Sequence, residues 1–166
     1  MKNLSDKVVV ITGAGSGIGR ALALNLARKG SLLALSDVDE AGLAETVDLV
    51  KGAGAREVRS DRLDVADRDA FDAYAEAVVG QFGRVNVVIN NAGVALAGDL
   101  VDLEYSDIDW IMGINLGGVL TGTKAFLPHL IASGEGHVVN ISSLFGLVSM
   151  PGQSIYNATK YAVRGL

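Results

Sequence analysis

Apolar residues along the chain follow two alternating rhythms. Short continuous runs, "VVVIT" within Lys7 to Thr12, "SLLALSD" at Ser31 to Asp37 and "VNVVIN" within Arg84 to Gly93, lack polar alternation. Such runs are the mark of parallel strands buried on both faces. Between them, apolar residues recur every three or four positions, the helical period. The first such stretch, "IGRALALNLARKG", ends at Gly30, where a helix C-cap glycine belongs. Further helices are predicted from about Asp39 to Lys51, from about Asp67 to Phe82, from near Ser106, a candidate N-cap, to just before Gly134, and from about Ser154 onward. A weaker strand is predicted near Glu57 to Leu63, and a fifth in "GHVVNIS", Gly136 to Ser142.

This alternation predicts right-handed βαβ units and therefore an α/β fold. The expected architecture is a Rossmann-type doubly wound parallel sheet with five strands in the order 3-2-1-4-5. At 166 residues the chain suits one domain, and it shows no internal repeat, low-complexity segment or linker.

Composition narrows the classes. Hydrophobic residues make up 49%, with 21 glycines, 2 prolines and no cysteines, which suits a packed α/β domain and removes disulfides and thiolate metal sites. The 14 basic and 19 acidic residues give a net charge of −5, with no Lys/Arg block, so nucleic acid is a disfavoured partner. No apolar run approaches the roughly 18 residues of a membrane span, and Met1 to Asp6 is too polar and short for a signal peptide. A cytoplasmic setting is expected.

Chemistry first shows in "TGAGSGIG", Thr12 to Gly19, which follows the first strand directly. The G-x-G-x-x-G register fails, because the third glycine falls on Ile18 or Arg20; the spacing is G-x-x-x-G-x-G through Gly13, Gly17 and Gly19. A helix N-terminus at a strand end offers unpaired N–H groups and about half a positive charge, which suits a pyrophosphate. Gly13 can take the tight turn, Gly17 admits a ligand to the backbone, and Gly19 lets helix and strand pack closely. A glycine-rich turn without a ligand is the alternative. Asp37 favours the cofactor reading: it stands 18 residues after Gly19, near the spacing of an acid that binds adenine ribose hydroxyls. Its carboxylate repels a 2′-phosphate, and neither Ser16 nor Val38 offers a cation, so NAD is preferred over NADP. Arg20, the nearest base, reads as an exposed residue of the first helical turn.

A second group lies in "IYNATKYAVRG". Tyr156 and Lys160, four apart, share a helix face. A tyrosine acting as acid or base near neutral pH needs help from a cation. An ammonium about 4 Å away at an effective dielectric near 20 supplies about 4 kcal/mol. Ser143, at the end of the fifth strand, is placed where open α/β sheets bind ligands, or it caps a turn together with Ser142. Asn115 in "GINLGG" is a poor helix former among glycines, a site for a local distortion with a bound water or for close helix packing.

Together these residues resemble the short-chain dehydrogenase/reductase family, from about Lys7 to the chain end. "TGAGSGIG" is similar to the family's T-G-x-x-x-G-x-G cofactor loop, and "NNAG", Asn90 to Gly93, to its fourth-strand motif. The resemblance implies cofactor contacts at Gly13, Ser16, Gly17, Ile18 and Gly19, at Asp64 and Val65 of "LDV" on the adenine side, and at Asn91, Ala92 and Gly93. It implies a catalytic tetrad of Asn115, Ser143, Tyr156 and Lys160. In that tetrad tyrosine is the acid/base, and lysine favours the tyrosinate and holds the nicotinamide ribose. Serine orients the substrate oxygen, and asparagine fixes a proton-relay water. Members of the family run on through two more strands and a mobile substrate loop. Residues 1–166 therefore read as one dinucleotide-binding and catalytic domain without its C-terminal portion, and "HVVNIS" as an apolar edge.

The expected function is NAD-dependent oxidation of a secondary alcohol or reduction of the ketone. The mostly apolar "LFGLVSM" after Ser143 is expected to line one side of the substrate pocket. The competing expectation is a catalytically silent nucleotide-binding or assembly module. A P-loop hydrolase is excluded, since Arg20 and Ala21 stand where Lys and Ser/Thr must follow Gly19. His129 and His137 lack metal partners at usable spacing and read as surface or turn residues, while Trp110 and Met112 read as core or subunit contacts. By resemblance, the helix near 106–133 and the last helix form a homodimer or homotetramer interface.

Overall fold

The computed structural model describes residues 3–166; the first two residues of the polar N-terminal stretch lie outside the described part. Five parallel strands, β1 (Val8–Thr12), β2 (Leu32–Asp37), β3 (Val58–Arg62), β4 (Val87–Asn90) and β5 (His137–Asn140), form one sheet in the order β3-β2-β1-β4-β5. This is the predicted order. The chain starts in the middle, winds outward to β3, returns past β1 to β4, and so places a switch point between β1 and β4.

The side-chain period of two explains why the central runs are apolar throughout. Val8 and Val10 of β1 pack into one cluster with Phe71, Tyr74, Val78 and Phe126. Val9 and Ile11 of the same strand point the other way, into a cluster with Ala23, Leu26, Leu43 and Val50. Both faces are covered by helix, α3 (Arg68–Phe82) on the first side and α1 (Gly17–Arg28) with α2 (Glu40–Gly52) on the second. The two outer strands differ: β3 and β5 each expose alternate residues, and β5 stands at the sheet edge with Val139 39% exposed.

Aromatic rings anchor the first cluster. Phe71, Tyr74 and Phe126 meet edge to face, with centroids 6.0 to 6.3 Å apart. Phe126→Ala is expected to lose about 4 kcal/mol of unfolding free energy, measured by urea denaturation, because the fully buried ring leaves a cavity between α3 and the helix that carries it. A loss under about 1 kcal/mol would mean that this cluster is loosely packed.

The helix predicted near 106–133 is divided. It comprises α4 (Tyr105–Met112), a π-helical turn at Gly113–Gly117 and α5 (Gly118–Ala132). Its start is capped by Glu104 rather than Ser106; the Glu104 N–H donates to the Asp107 carboxylate at 3.3 Å, and Ser106 sits inside the first turn. The π turn falls where glycine is dense and helix propensity lowest. Trp110 is 48% exposed, which removes it from the core. The last helix, α6 (Ser154–Arg164), follows a 3-10 turn at Leu144–Gly146. No helix among the described residues is long and apolar enough to cross a membrane.

Candidate active site

At the C-terminal ends of the strands lies a cavity of about 360 Å³. Gly13, Ser16, Gly17 and Ile18 line it from the β1–α1 loop, Asp37 and Val38 from the end of β2, Leu63, Asp64 and Val65 from beyond β3, and Asn91, Ala92 and Gly93 from beyond β4. These include every residue expected to touch a cofactor from the first four strands, except Gly19. Val94 and Ile114 also line it, and neither was singled out as a cofactor contact.

Gly19 lies behind the wall, where helix meets strand. A Cβ there would strike the Gly13 carbonyl and come within 2.8 Å of Asn91 Nδ2, so only glycine permits α1 to start this close to β1. At Gly17, by contrast, φ is +51° and nothing lies within 4 Å of a would-be Cβ: the backbone there faces open space.

The β4 end is tied to this loop by side chains. Asn91 Nδ2 donates to the carbonyls of Thr12 (2.9 Å) and Gly13 (3.0 Å), and the Thr12 hydroxyl accepts from the N–H groups of Asn91 and Ala92, both at 3.1 Å. Asn90 Nδ2 reaches Asn140 Oδ1 at 2.9 Å and Thr123 Oγ1 at 3.1 Å, joining β4 to β5 and α5. Asp37 is held by backbone donors, Oδ2 by Gly15 N (2.7 Å) and Oδ1 by Asp39 N (3.0 Å). Asp64 is exposed, and its carboxylate caps Ala66 N at 2.9 Å.

Arg20 differs from the expectation of an exposed first-turn residue. Its guanidinium is folded against α2, donating to Thr46 Oγ1 (2.9 Å), the Gly15 carbonyl (2.5 Å) and the Gly42 carbonyl (3.2 Å), and pairing with Glu45 at 2.8 Å. The reason is tertiary: α2 crosses close enough to supply acceptors, which helical periodicity alone does not reveal.

Of the four remaining candidates, Asn115 and Lys160 reach the edge of the cavity at Gly93, and Tyr156 lies against Lys160. Asn115 sits in the π turn, fully buried; its Oδ1 accepts from Val94 N (2.8 Å), and its Nδ2 donates to the Val94 carbonyl (2.9 Å) and to Thr159 Oγ1 (3.3 Å). Its amide thus clamps the chain after β4 to α6. Ser143 caps the 3-10 turn, its Oγ accepting from Phe145 N at 3.1 Å, so the turn-capping role is real and leaves the hydroxyl proton to donate. Ser142 has a separate task, donating to the Lys160 carbonyl at 2.8 Å.

Tyr156 packs edge to face on Phe145, with centroids 6.1 Å apart. Lys160 Nζ lies 5.7 Å from the centre of the Tyr156 ring and donates to the Ile141 carbonyl at 3.0 Å. Lys160 is 5% exposed, and burial holds its ammonium below the usual lysine range. The junction with the cavity is Gly93: a Cβ there would stand 3.2 Å from Asn115 Oδ1 and 3.5 Å from Lys160 Nζ. Among the described residues no group of three or more His, Asp or Glu side chains is placed to hold a metal ion.

Residues 7–166 match the family model for short chain dehydrogenases. The chain belongs to that family. It is 62% identical over 165 residues to SadH of Mycobacterium tuberculosis, covering 99% of this chain and 59% of that protein. A short-chain dehydrogenase/reductase from Burkholderia phymatum, solved in complex with NAD, superposes with a TM-score of 0.96 at 44% identity, covering 99% of this chain and 59% of the other. Carveol dehydrogenase from Mycobacterium avium, also solved with NAD, gives a TM-score of 0.93 at 31% identity, covering 99% and 64%. The chain therefore spans about three fifths of the length of these relatives.

Proposed function

We propose that the protein is a cytoplasmic oxidoreductase that moves hydride between NAD(H) and a secondary alcohol or the matching ketone. The observation that carries this reading is the adjacency at Gly93, where the glycine-lined cavity meets Lys160 and Asn115. A dinucleotide fits the residues present. Gly17 leaves the backbone at the α1 N-terminus open to a pyrophosphate, and Ile18, 61% exposed, lends an apolar surface beside it. Asp37 has lone pairs left for ribose hydroxyls, Asp64 and Val65 flank the adenine end, and Asn91 to Gly93 border the nicotinamide end. The NAD present in the Burkholderia and Mycobacterium avium structures supports the assignment.

When bound, the nicotinamide supplies the hydride chemistry at its C4. This chain handles the proton. As the substrate C–H bond opens and C–OH becomes C=O, the phenolic oxygen of Tyr156 takes the hydroxyl proton; in reduction it returns it. Lys160 offers its remaining N–H groups to the nicotinamide ribose. Ser143 donates to the substrate oxygen. Asn115 holds the distorted turn at which a proton-relay water is fixed. Leu144, Leu147 and Met150, each at least 50% exposed after Ser143, favour a substrate with an apolar body. The exposed Trp110, Leu127, Ile131 and Tyr161 on α4, α5 and α6 support a homodimer or homotetramer through these helices.

Titration of the protein with NADH and NADPH, read by nicotinamide fluorescence, tests the cofactor assignment. NADH is expected to bind at least about tenfold more tightly, because the Asp37 carboxylate faces any 2′-phosphate. Asp37→Ser narrows that gap. Tighter binding of NADPH, or binding of neither, would sink the reading. With NAD and a panel of secondary alcohols, NADH formation is expected; binding without turnover would instead fit a silent nucleotide-binding module.

A further inference from the structure

Four residues outside the glycine motif converge on one peptide inside it. Gly15 occupies a free position of T-G-x-x-x-G-x-G, yet it is buried and tied on both sides. Its N–H donates to Asp37 Oδ2 at 2.7 Å, and its carbonyl accepts from Arg20 Nη2 at 2.5 Å. Arg20 is itself fixed: Nε donates to Thr46 Oγ1 at 2.9 Å, and the Thr46 hydroxyl in turn donates to the Gly42 carbonyl at 3.0 Å. Thr46 is fully buried. Gly42 completes the fit, since a Cβ there would come within 2.8 Å of the Gly15 oxygen. None of Gly15, Arg20, Gly42 and Thr46 lines the cavity.

We propose that Arg20, Gly42 and Thr46 act as a positioning clasp on the Gly15 peptide, which fixes the Asp37 carboxylate for an unphosphorylated ribose. The inference rests on the reading of the cavity as a dinucleotide site. A glycine peptide turns freely unless both ends are held. With the Gly15 carbonyl anchored to α2, its N–H stays aimed at Asp37 Oδ2, while Asp39 N holds Oδ1 at 3.0 Å. The carboxylate then presents its remaining lone pairs in one orientation and cannot swing aside for a phosphate. The same contacts engage Arg20 Nε and Nη2 with Thr46, Gly42 and the Gly15 carbonyl, which withdraws them from a 2′-phosphate. A cation in the right neighbourhood for NADP thus serves the opposite preference.

The test compares dissociation constants for NADH and NADPH in wild type, Arg20→Met, Thr46→Val and Glu45→Gln. Thr46→Val keeps shape and removes only the hydroxyl, so it reports on the clasp even if Arg20→Met fails to fold. Both clasp variants are expected to bind NADH several-fold more weakly and NADPH nearly as in wild type, so that the NADH-over-NADPH preference falls several-fold, since a freed Asp37 loses more for NADH than for NADPH. Glu45→Gln, altering a carboxylate on the exposed side, is expected to keep the preference within about twofold. A purely structural role would lower both affinities alike and leave the ratio unchanged. An unchanged ratio in Thr46→Val, with wild-type NADH binding intact, overturns the clasp alone; a wild type that binds neither nucleotide overturns the cofactor reading and the clasp together.

Discussion

Replacing Tyr156 by phenylalanine is expected to lower kcat about 10³-fold while leaving the NADH dissociation constant within about twofold of wild type. The change removes one oxygen and nothing that holds the site together. The edge-to-face contact with Phe145 belongs to the ring and survives. The hydrogen bond that the residue accepts, from Thr159 Oγ1 at 2.7 Å, goes to its backbone carbonyl and survives as well. Lys160 keeps its bond to Ile141 and Asn115 its clamp on Val94, so the fall in rate isolates the lost proton acceptor. Steady-state turnover of the protein at its full encoded length, beside a fluorescence titration with NADH, separates the two quantities. Equal turnover by wild type and variant would remove Tyr156 from the chemistry.

Gly19→Ala is expected to abolish detectable NADH binding and to lower unfolding free energy by about 2 to 3 kcal/mol. One methyl group suffices because of where it lands. It meets the Gly13 carbonyl and Asn91 Nδ2, which are backbone and a side chain already bonded to Thr12 and Gly13. Neither neighbour is a flexible chain end that can swing clear. The helix must retreat from the strand, and the N–H groups at its start retreat with it from the place a pyrophosphate would occupy. Urea unfolding reports the strain and the NADH titration reports the displaced helix end. A variant that unfolds and binds like wild type would show that the loop tolerates a wider helix-strand gap than its packing implies.

The strands, the loop glycines and Asp37 were legible in the sequence because they rest on short-range rules, whereas Asp64, Val65 and Asn91 to Gly93 came only from the family resemblance. Val8 to Ile11 and Val87 to Ile89 are apolar on both faces, which only a central parallel strand requires. Loop glycines and an acid at a strand end carry their spacing with them. Cross-chain acceptors leave no such trace. Arg20 has the position of an outward helical residue, and only the approach of Gly42 and Thr46 on α2 turns it inward. Asn115 was visible as a misfit among glycines, but its partner, the backbone of Val94, has no side-chain signature at all. The start of α4 was misplaced for a similar reason: Ser106 is the better cap by type, whereas the bond between Glu104 N and Asp107 decides.

The amides of Asn91 and Asn115 have a thermodynamic consequence. The sheet ends at Asn90, yet the four residues beyond it are not left as a loose connection, because side-chain carboxamides stand in for the missing neighbour strand at Thr12, Gly13 and Val94. Fixing a backbone residue costs about 1 to 2 kcal/mol of conformational entropy. Here that cost falls on folding, so the surface at Ala92 and Gly93 is already ordered, and a nucleotide bound there as proposed would divert none of its binding energy to ordering it.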